Sequence, residues 1–353
     1  MFEPRPGMRV VIRYNDTDMR LADALGEVTA LSPSSITVAT RRGSVEIERS
    51  AIEIIHEVPP PPERSGPLHR IVSATDLRKI ATAAWLPSDI AWLNADTIAA
   101  EVEGEHDSTN PGIQAGWLLK SSSIGGKRAQ TGLPISEPGL DMAQTLTLWQ
   151  HWYHKRGLAP GLELYTAGDD QDLAEPCRNI ARHIHSEDIS RQLVYKAMTA
   201  DTHKITRQGS WREPPPRMTI DMGDKPTATH FAIAGLPQTE LAYRLLKNPA
   251  YQIFFMVATA HHPDGQQTPV GVLRLSTVNK WAFLDCLAVN PSARRRGVAS
   301  TLVAAAASHA STLGIRSMLA EVPPRNHVAE ALLRSLTFSV HHRFWYAYAD
   351  MQE

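Results

Sequence analysis

Cysteine is nearly missing from this 353-residue chain: Cys177 and Cys286 are the two it has. So few and so widely separated, they exclude a disulfide framework and a CxxC metal site. An excess of charge of one sign is missing too. Lys and Arg number 36 against 37 Asp and Glu, a net charge of -1. That removes the electrostatic case for nucleic acid or an anionic membrane as partner. Apolar runs long enough to span a bilayer are absent. Met1 to Arg9 carries arginines with no apolar segment behind them, which does not read as a secretory signal. The default expectation is a cytoplasmic enzyme. What remains is ordinary: 42% hydrophobic and 21% charged residues, the balance of a globular protein. The length suggests two or three domains, each with its own core.

Residues 7–58 read as five short strands: Met8–Tyr14, Gly26–Leu31, Ser35–Thr40, Ser44–Arg49 and Ile52–Val58. Turn residues such as Ser32-Pro33-Ser34 and Arg41-Arg42-Gly43 separate them. Val45-Glu46-Ile47-Glu48 alternates apolar and polar, one face in and one out. So many short strands in one stretch predict a small SH3-like barrel over 1–60, used for docking or as scaffold. Pro59 to Pro62 cannot continue a strand ladder and close this unit; Pro214 to Pro216 mark a second break.

Between the breaks, 67–205 reads as mixed α/β. Ser73–Trp85 is helical, with Ser73 or Thr75 as N-cap. Ile113–Leu119, Leu162–Thr166 and Gln192–Met198 read as strands. Gln144–Arg156 is a helix that stops at Gly157. Ile124-Gly125-Gly126-Lys127-Arg128 is glycine-rich but lacks a strand-to-helix setting at this level.

The most informative stretch lies further on. An apolar strand ends at Val289, Asn290-Pro291-Ser292 turns, and Arg294-Arg295-Arg296-Gly297-Val298-Ala299 opens the helical run Ser300–Leu313. A small, basic loop at a helix N-terminus presents backbone N–H groups and a favourable dipole to an anion, here a phosphate or pyrophosphate. Arg294-x-x-Gly297-x-Ala299 resembles the Arg/Gln-x-x-Gly-x-Gly/Ala loop of the GCN5-related N-acetyltransferases, the GNAT superfamily. After a second strand, Ser317–Val322, comes Asn326-x-x-Ala329-x-x-Leu332-Leu333-x-x-Leu336-Thr337-Phe338. It resembles that family's Asn-x-x-Ala-x-x-Leu-Tyr-x-x-x-Gly-Phe. Over the whole chain, Gly116-Trp117-Leu118-Leu119, Gly126-Lys127-Arg128-Ala129, Trp152-Tyr153 and His341-His342-Arg343-Phe344 look like an actinobacterial group. It joins an SH3-like barrel to two tandem GNAT-like domains and includes short N-acetylglutamate synthases.

The resemblance implies an α/β (α+β) chain: barrel 1–60, a degenerate GNAT-like domain 67–205 and an acetyl-CoA-binding GNAT domain 206–353. It implies acetyl-CoA as co-substrate, no metal, and transfer to a small-molecule amine. The α-amine of glutamate, as in arginine biosynthesis, comes first. A protein lysine acetyltransferase, or a catalytically weak acetyl-CoA-binding protein with a docking barrel, is the alternative. A homodimer is admitted; nucleic acid and membrane are not expected as partners.

By the same resemblance, the cofactor is held by the backbone of Leu287, Ala288 and Val289, by Arg294, Arg295, Arg296, Gly297, Val298, Ala299 and Ser300, and by Asn326 unless that residue is simply an N-cap. A carboxylate inside an apolar strand is costly unless paired or wet. Asp285 is therefore the candidate base, or the partner of Arg274 or Lys280; alternation sets it on the face of Leu287 and Val289. Leu333 stands where the family has its tyrosine acid, so either Tyr346 or Tyr348, on one face of the final strand, or a histidine of His341-His342 substitutes, or the thiolate leaves unaided. Thr337 in the family's glycine position suggests a turn without positive φ. Arg274, Arg343 and Arg128 are candidates for an acceptor carboxylate. His261-His262 flank a hairpin turn, and His183 and His185 lack good ligand spacing, so no metal site is expected.

Overall fold

The computed structural model describes residues 4, 8–16, 20–40, 43–57, 67–87, 89–95, 115–124, 126–169, 172–184, 193–207, 217–247 and 251–349. The proline breaks at 59–62 and 214–216, along with Gly125 and His185, lie outside these. The chain divides into two compact units, 1–65 and 66–353.

The first unit has the five expected strands: β1 Arg9–Asn15, β2 Leu21–Leu31, β3 Ser35–Thr40, β4 Gly43–Glu48 and β5 Ile52–Glu57. They form an antiparallel sheet in the order β4-β3-β2-β1-β5. Alternation puts Val10, Ile12, Ala24, Val28, Ile36, Val38 and Ile47 into one core.

The second unit opens with α1 Leu68–Ile71 and α2 Ala74–Ala83. Ser73 caps α2, its side chain accepting from Asp76 N; this satisfies one of the helix's four free N–H groups. Then come β6 Asp89–Leu93, β7 Trp117–Ser121, α3 Gly126–Ala129, β8 Leu133–Pro134, α4 Met142–His154, β9 Gly161–Tyr165, α5 Glu175–His183, β10 Tyr195–Asp201 and α6 Thr202–Arg207. The remainder is β11 Met218–Gly223, α7 Ala228–Ala234, α8 Glu240–Leu246, β12 Gln252–His261, β13 Gln267–Val278, β14 Trp281–Val289, α9 Val298–Thr312, β15 Ser317–Val322, α10 His327–Ser335 and β16 Ser339–Tyr348. Contrary to expectation, the Gly126-Lys127-Arg128 stretch does follow a strand and opens a helix, but one of four residues.

β6, β7 and β8 make a small sheet. The main sheet has eight strands in the order β11-β12-β13-β14-β15-β10-β16-β9. β10 is inserted between β15 and β16, antiparallel to both. The expected boundary at 205/206 is thus no boundary of packing. Strands from 67–205 and 206–353 share hydrogen-bond ladders. One apolar core joins Leu77, Trp117, Trp149 and Cys177 to Trp281, Phe283, Leu319 and Trp345. On the opposite face α9 packs Leu302, Val303, Ala306 and Ala310 against Leu273, Leu275 and Leu284. Among the described residues, no helix is long and apolar enough to cross a membrane.

Candidate active site

β14 and β15 run parallel and paired from Trp281↔Ser317 to Leu284↔Ala320, and there the pairing ends. Beyond it β14 keeps β13 on one side only, Gly271↔Val289 and Val272↔Ala288. Asn290 N donates to Val270 O at 2.9 Å, so Asn290, and Ala288 two residues back, turn their backbone groups to β13. The backbone groups of Leu287 and Val289 are left toward the gap. The register slips between Val272 and Arg274, and Cys286 takes φ 49°, a β-bulge. The expected alternation fails for this reason. Asp285 is on the side of Trp85 and Arg274, whereas Leu287 and Val289 pack against the other core.

The turn Pro291–Ala293 leads into the loop. Arg294, Arg295 and Arg296 are exposed; Arg295 has φ 62° and Gly297 φ 82°. Gly297 is the N-cap of α9 without a side chain to cap it. Thr301 N bonds Gly297 O, and the hydroxyls of Ser300 and Thr301 donate to the same oxygen at 2.7 and 2.9 Å. The N–H groups of Val298, Ala299 and Ser300 have no intrahelical acceptor, by the geometry of a helix start. Gly271 sets the approach of this helix to the sheet: a Cβ there would lie 2.7 Å from Val298 Cγ1.

The gap between β14 and β15 widens into a cleft of about 330 Å³ whose lining includes Trp85, Arg128, Phe283, Asp285, Glu321 and Leu333. Arg274, the first candidate for the acceptor, is fully buried and fully engaged. Its Nε donates to Leu246 O at 2.8 Å, Nη2 to Ala84 O at 2.9 Å and Nη1 to Asp285 Oδ2 at 2.6 Å. Trp85 Nε1 donates to the same Oδ2 at 2.7 Å. Asp285 Oδ1 is buried without a hydrogen-bond partner among the described residues; the Cys286 thiol lies beside the carboxylate, and burial together with that charge raises the thiol's pKa. Asp285 is therefore the ion-pair partner of Arg274, one of the two expectations, and its carboxylate lines the cleft.

Across the split, Glu321 on β15 is held by Arg78 Nη1 and by Arg128 Nη2. Arg78 Nε also donates to Glu163 Oε1 at 2.6 Å, with both side chains buried. Lys120 is buried nearby; desolvation, only partly offset by Glu163, pushes its pKa down to about 8. Glu163 is held below its usual range by Arg78 and Lys120 despite its burial.

Residues 222–338 match the model of the acetyltransferase (GNAT) family, and the matched segment contains the split strands, the glycine loop and α10. These residues are a GNAT acetyltransferase domain. No curated protein matches the chain. Among solved structures, a GCN5-related N-acetyltransferase from Kribbella flavida is 14% identical at TM-score 0.48, covering 73% of this chain and 96% of that one. A tandem GNAT protein from the clavulanic acid biosynthesis pathway is 16% identical at TM-score 0.46, covering 63% and 76%. One from Sphaerobacter thermophilus is 14% identical at TM-score 0.41, covering 74% and 95%.

GNAT enzymes use acetyl-CoA, and the residues present fit it. Val298 to Ser300 offer unpartnered N–H groups, no Cβ stands at Gly297, and the β14 edge is free for an extended amide chain. Asn326 lines the cleft and also caps α10, its Oδ1 accepting from Ala329 N at 3.1 Å. Leu333, in the tyrosine position of the GNAT pattern, is buried and lines the cleft.

Other expected residues of the GNAT site lie elsewhere. Tyr346 is buried against Tyr195 and Phe344, burial raising its pKa strongly. Tyr348 is half-buried beside Gly161, with Lys127 over its ring. Neither lines the cleft. The two were expected on one face; they are, but that face packs inside the first half. His341 and His342 bond each other through their Nδ1 atoms, and His341 Nε2 also bonds Val72 O. Arg343 pairs with Asp169 at 2.9 Å. Thr337 does take positive φ, 68°, because Phe338 N must reach Leu333 O to close α10. Trp85, Arg78 and Glu321 were missed. Glu321 carries the same signal that singled out Asp285, a carboxylate inside an apolar strand.

Proposed function

We propose that the chain transfers the acetyl group of acetyl-CoA to a primary amine held in the cleft beside Asp285. The observation that carries this reading is the split of β14 from β15 with Asp285 lining the cleft that opens there. Bound there, acetyl-CoA supplies an acetyl group activated as a thioester. The N–H groups of Val298, Ala299 and Ser300, with Arg294, Arg295 and Arg296, hold its pyrophosphate. The backbone of Leu287 and Val289 pairs with its amide arm, and Leu287 N–H polarises the acetyl carbonyl, as an oxyanion hole does. Ala288, whose backbone turns to β13, supports the strand without contact. Asn326 borders the arm. Asp285 Oδ1 takes the proton of the acceptor ammonium, directly or through one water. The chain then works as two GNAT-like halves, the first without a phosphate loop, behind an SH3-like docking unit.

Glutamate as acceptor, in arginine biosynthesis, follows from the resemblance alone. Of the three arginines expected to hold its carboxylates, Arg274 and Arg343 are committed elsewhere. A catalytically weak domain has one observation in its favour, the apolar Leu333 where a phenol is expected. Thiol release from acetyl-CoA by the full chain, measured against amino acids and a lysine-containing peptide, tests the proposal. Release should depend on an amine and fall by about 10²–10⁴ in Asp285→Asn. Acetyl-CoA that binds but is never consumed faster with any amine would overturn it.

A further inference from the structure

The charges behind the cleft do not balance. Among the described residues, Arg78, Arg128 and Lys120 stand with Glu163 and Glu321 in one group, and Arg274 with Asp285 in a second that meets the first at the Trp85 ring. Six of the seven side chains are at least nine-tenths buried; Arg128, 21% exposed, is the one that opens to the cleft. Arg274 and Asp285 neutralise each other. Arg78 lies between Glu163 and Glu321. That leaves Arg128 and Lys120 as two cations sharing one carboxylate's worth of charge. Lys120 Nζ has no hydrogen-bond partner among the described residues; burial first, and Arg78 and Arg128 to a lesser degree, lower its pKa against the pull of Glu163. A buried surplus charge is costly unless an opposite one joins it.

Arg128 is built to receive that opposite charge. Its Nη2 is engaged by Glu321, and the rest of the side chain, 21% exposed, lines the cleft. The guanidinium stands over Trp85 and Phe283, 5.7 and 5.4 Å from their ring centroids, within reach of cation–π attraction. Glu321 already has Arg78 on Oε1, so Arg128 can turn part of its fork toward a ligand without stranding a buried carboxylate.

We infer that Arg128 clamps a carboxylate of the acceptor, so that the cleft takes a primary amine bearing one carboxylate, the amine at Asp285 and the carboxylate on Arg128. This rests on the acetyl transfer proposed above. Both ends are measured off one indole: Trp85 Nε1 donates to Asp285 and the Trp85 ring carries Arg128. An acceptor that bridges Asp285 and Arg128 past this one ring is short, as an α-amino acid is. A second carboxylate on the acceptor would meet Asp285 or Glu321, so dicarboxylates are disfavoured. An amine with no carboxylate leaves the surplus cation uncompensated. Trp85 and Arg128 both come from the half without a phosphate loop, which thereby supplies the acceptor side of a site whose cofactor side lies in the GNAT domain.

The test uses the full chain, acetyl-CoA, the common α-amino acids and their α-amides. The best monocarboxylate should exceed its own amide by about 10- to 100-fold in kcat/KM, and exceed aspartate and glutamate. Arg128→Gln should abolish the acid-over-amide preference through KM, with the Kd of acetyl-CoA unchanged, and Arg128→Lys should restore part of it. An amide turned over as well as its acid, or Arg128→Gln lowering both alike, would overturn the inference. If acetyl-CoA binds but no amine is acetylated, the transfer reading falls by itself. The clamp is then decided by whether any monocarboxylate raises the melting temperature of the wild type but not of Arg128→Gln; no such shift overturns it.

Discussion

Arg274 and Asp285 form an ion pair that uses one oxygen of the carboxylate and leaves the other without a hydrogen-bond partner among the described residues. Arg274 Nη1 donates to Asp285 Oδ2 at 2.6 Å. The guanidinium is sealed by two backbone carbonyls, Leu246 O and Ala84 O, so it orients the carboxylate and cannot reach an acceptor. Removing one member leaves the other charged and buried. Arg274→Leu should therefore destabilise the second unit by about 3–5 kcal/mol. Arg274→Leu with Asp285→Leu should recover most of that loss. Urea unfolding of the three proteins decides it; a single variant as stable as wild type would contradict the pairing.

Lys120 gives a pH signature. Its folded pKa, about 8, lies below the ordinary 10.5, so between these values the unfolded chain binds more protons than the folded one. Stability contributed by this group therefore rises with pH across that window. Relative to Lys120→Met, the wild type should gain about 2 kcal/mol between pH 7 and pH 9.5. Urea midpoints of both proteins at the two pH values measure the difference. A gap that stays constant would show that Lys120 is not desolvated as described.

The cofactor loop depends on two glycines for different reasons. Gly297 at φ 82° has no close neighbour, a Cβ meeting only Ser300 Oγ at 3.8 Å. Gly297→Glu therefore meets no clash; it costs the strain of left-handed backbone and places a carboxylate among the N–H groups meant for phosphate. At Gly271, any Cβ collides with Val298 and Leu302 of α9, so Gly271→Ala pushes the helix start outward. Both changes should raise the acetyl-CoA Kd by about tenfold or more, a cost near 1.4 kcal/mol, and calorimetry is the check. Gly271→Ala should also lower the melting temperature more than Gly297→Glu does.

Thr337 holds φ 68° with a β-branched side chain, and its buried Oγ1 has no partner. Left-handed backbone costs a non-glycine residue roughly 1–2 kcal/mol. Thr337→Gly should raise stability by about 1 kcal/mol even after the entropy gained by the unfolded chain. A melting temperature that falls instead would mean the threonine methyl packs better than its backbone suffers.

These cases also show what a sequence carries and where it stops. The strand, loop and helix of 283–312 were legible because each is local: Gly297, the arginines and the apolar run sit within one turn of each other. Asp285 stood out as a charge in an apolar strand. The bulge at Cys286 did not, since nothing in Asp285-Cys286-Leu287 demands an extra residue; it appears only when β14 is laid against β13. Arg78, Glu163 and Glu321 are joined across 85 and 243 residues of chain, a distance no periodicity reports. Strand β10 was read as part of the first half, and its insertion between β15 and β16 is likewise a matter of topology alone.

The missing phenol at Leu333 gives the last prediction. Tyr346 packs on Tyr195, Phe344 and β9, and Tyr348 lies beside Gly161; neither lines the cleft, so neither can hand a proton to a group inside it. Tyr346→Phe and Tyr348→Phe should leave turnover within about twofold of wild type, far from the 10²–10⁴ that general-acid help is worth. Leu333 does line the cleft, on α10 across from Phe283 and Asp285. Leu333→Tyr puts a hydroxyl where the family carries one. It should raise kcat by about tenfold or more, while overpacking beside Leu336 and Phe338 costs about 1–3 kcal/mol of stability. Stopped-flow thiol release on the three variants separates the cases. A fall in kcat for Tyr346→Phe would restore the strand tyrosines as proton donors. An unchanged kcat for Leu333→Tyr would show that proton delivery does not limit this enzyme.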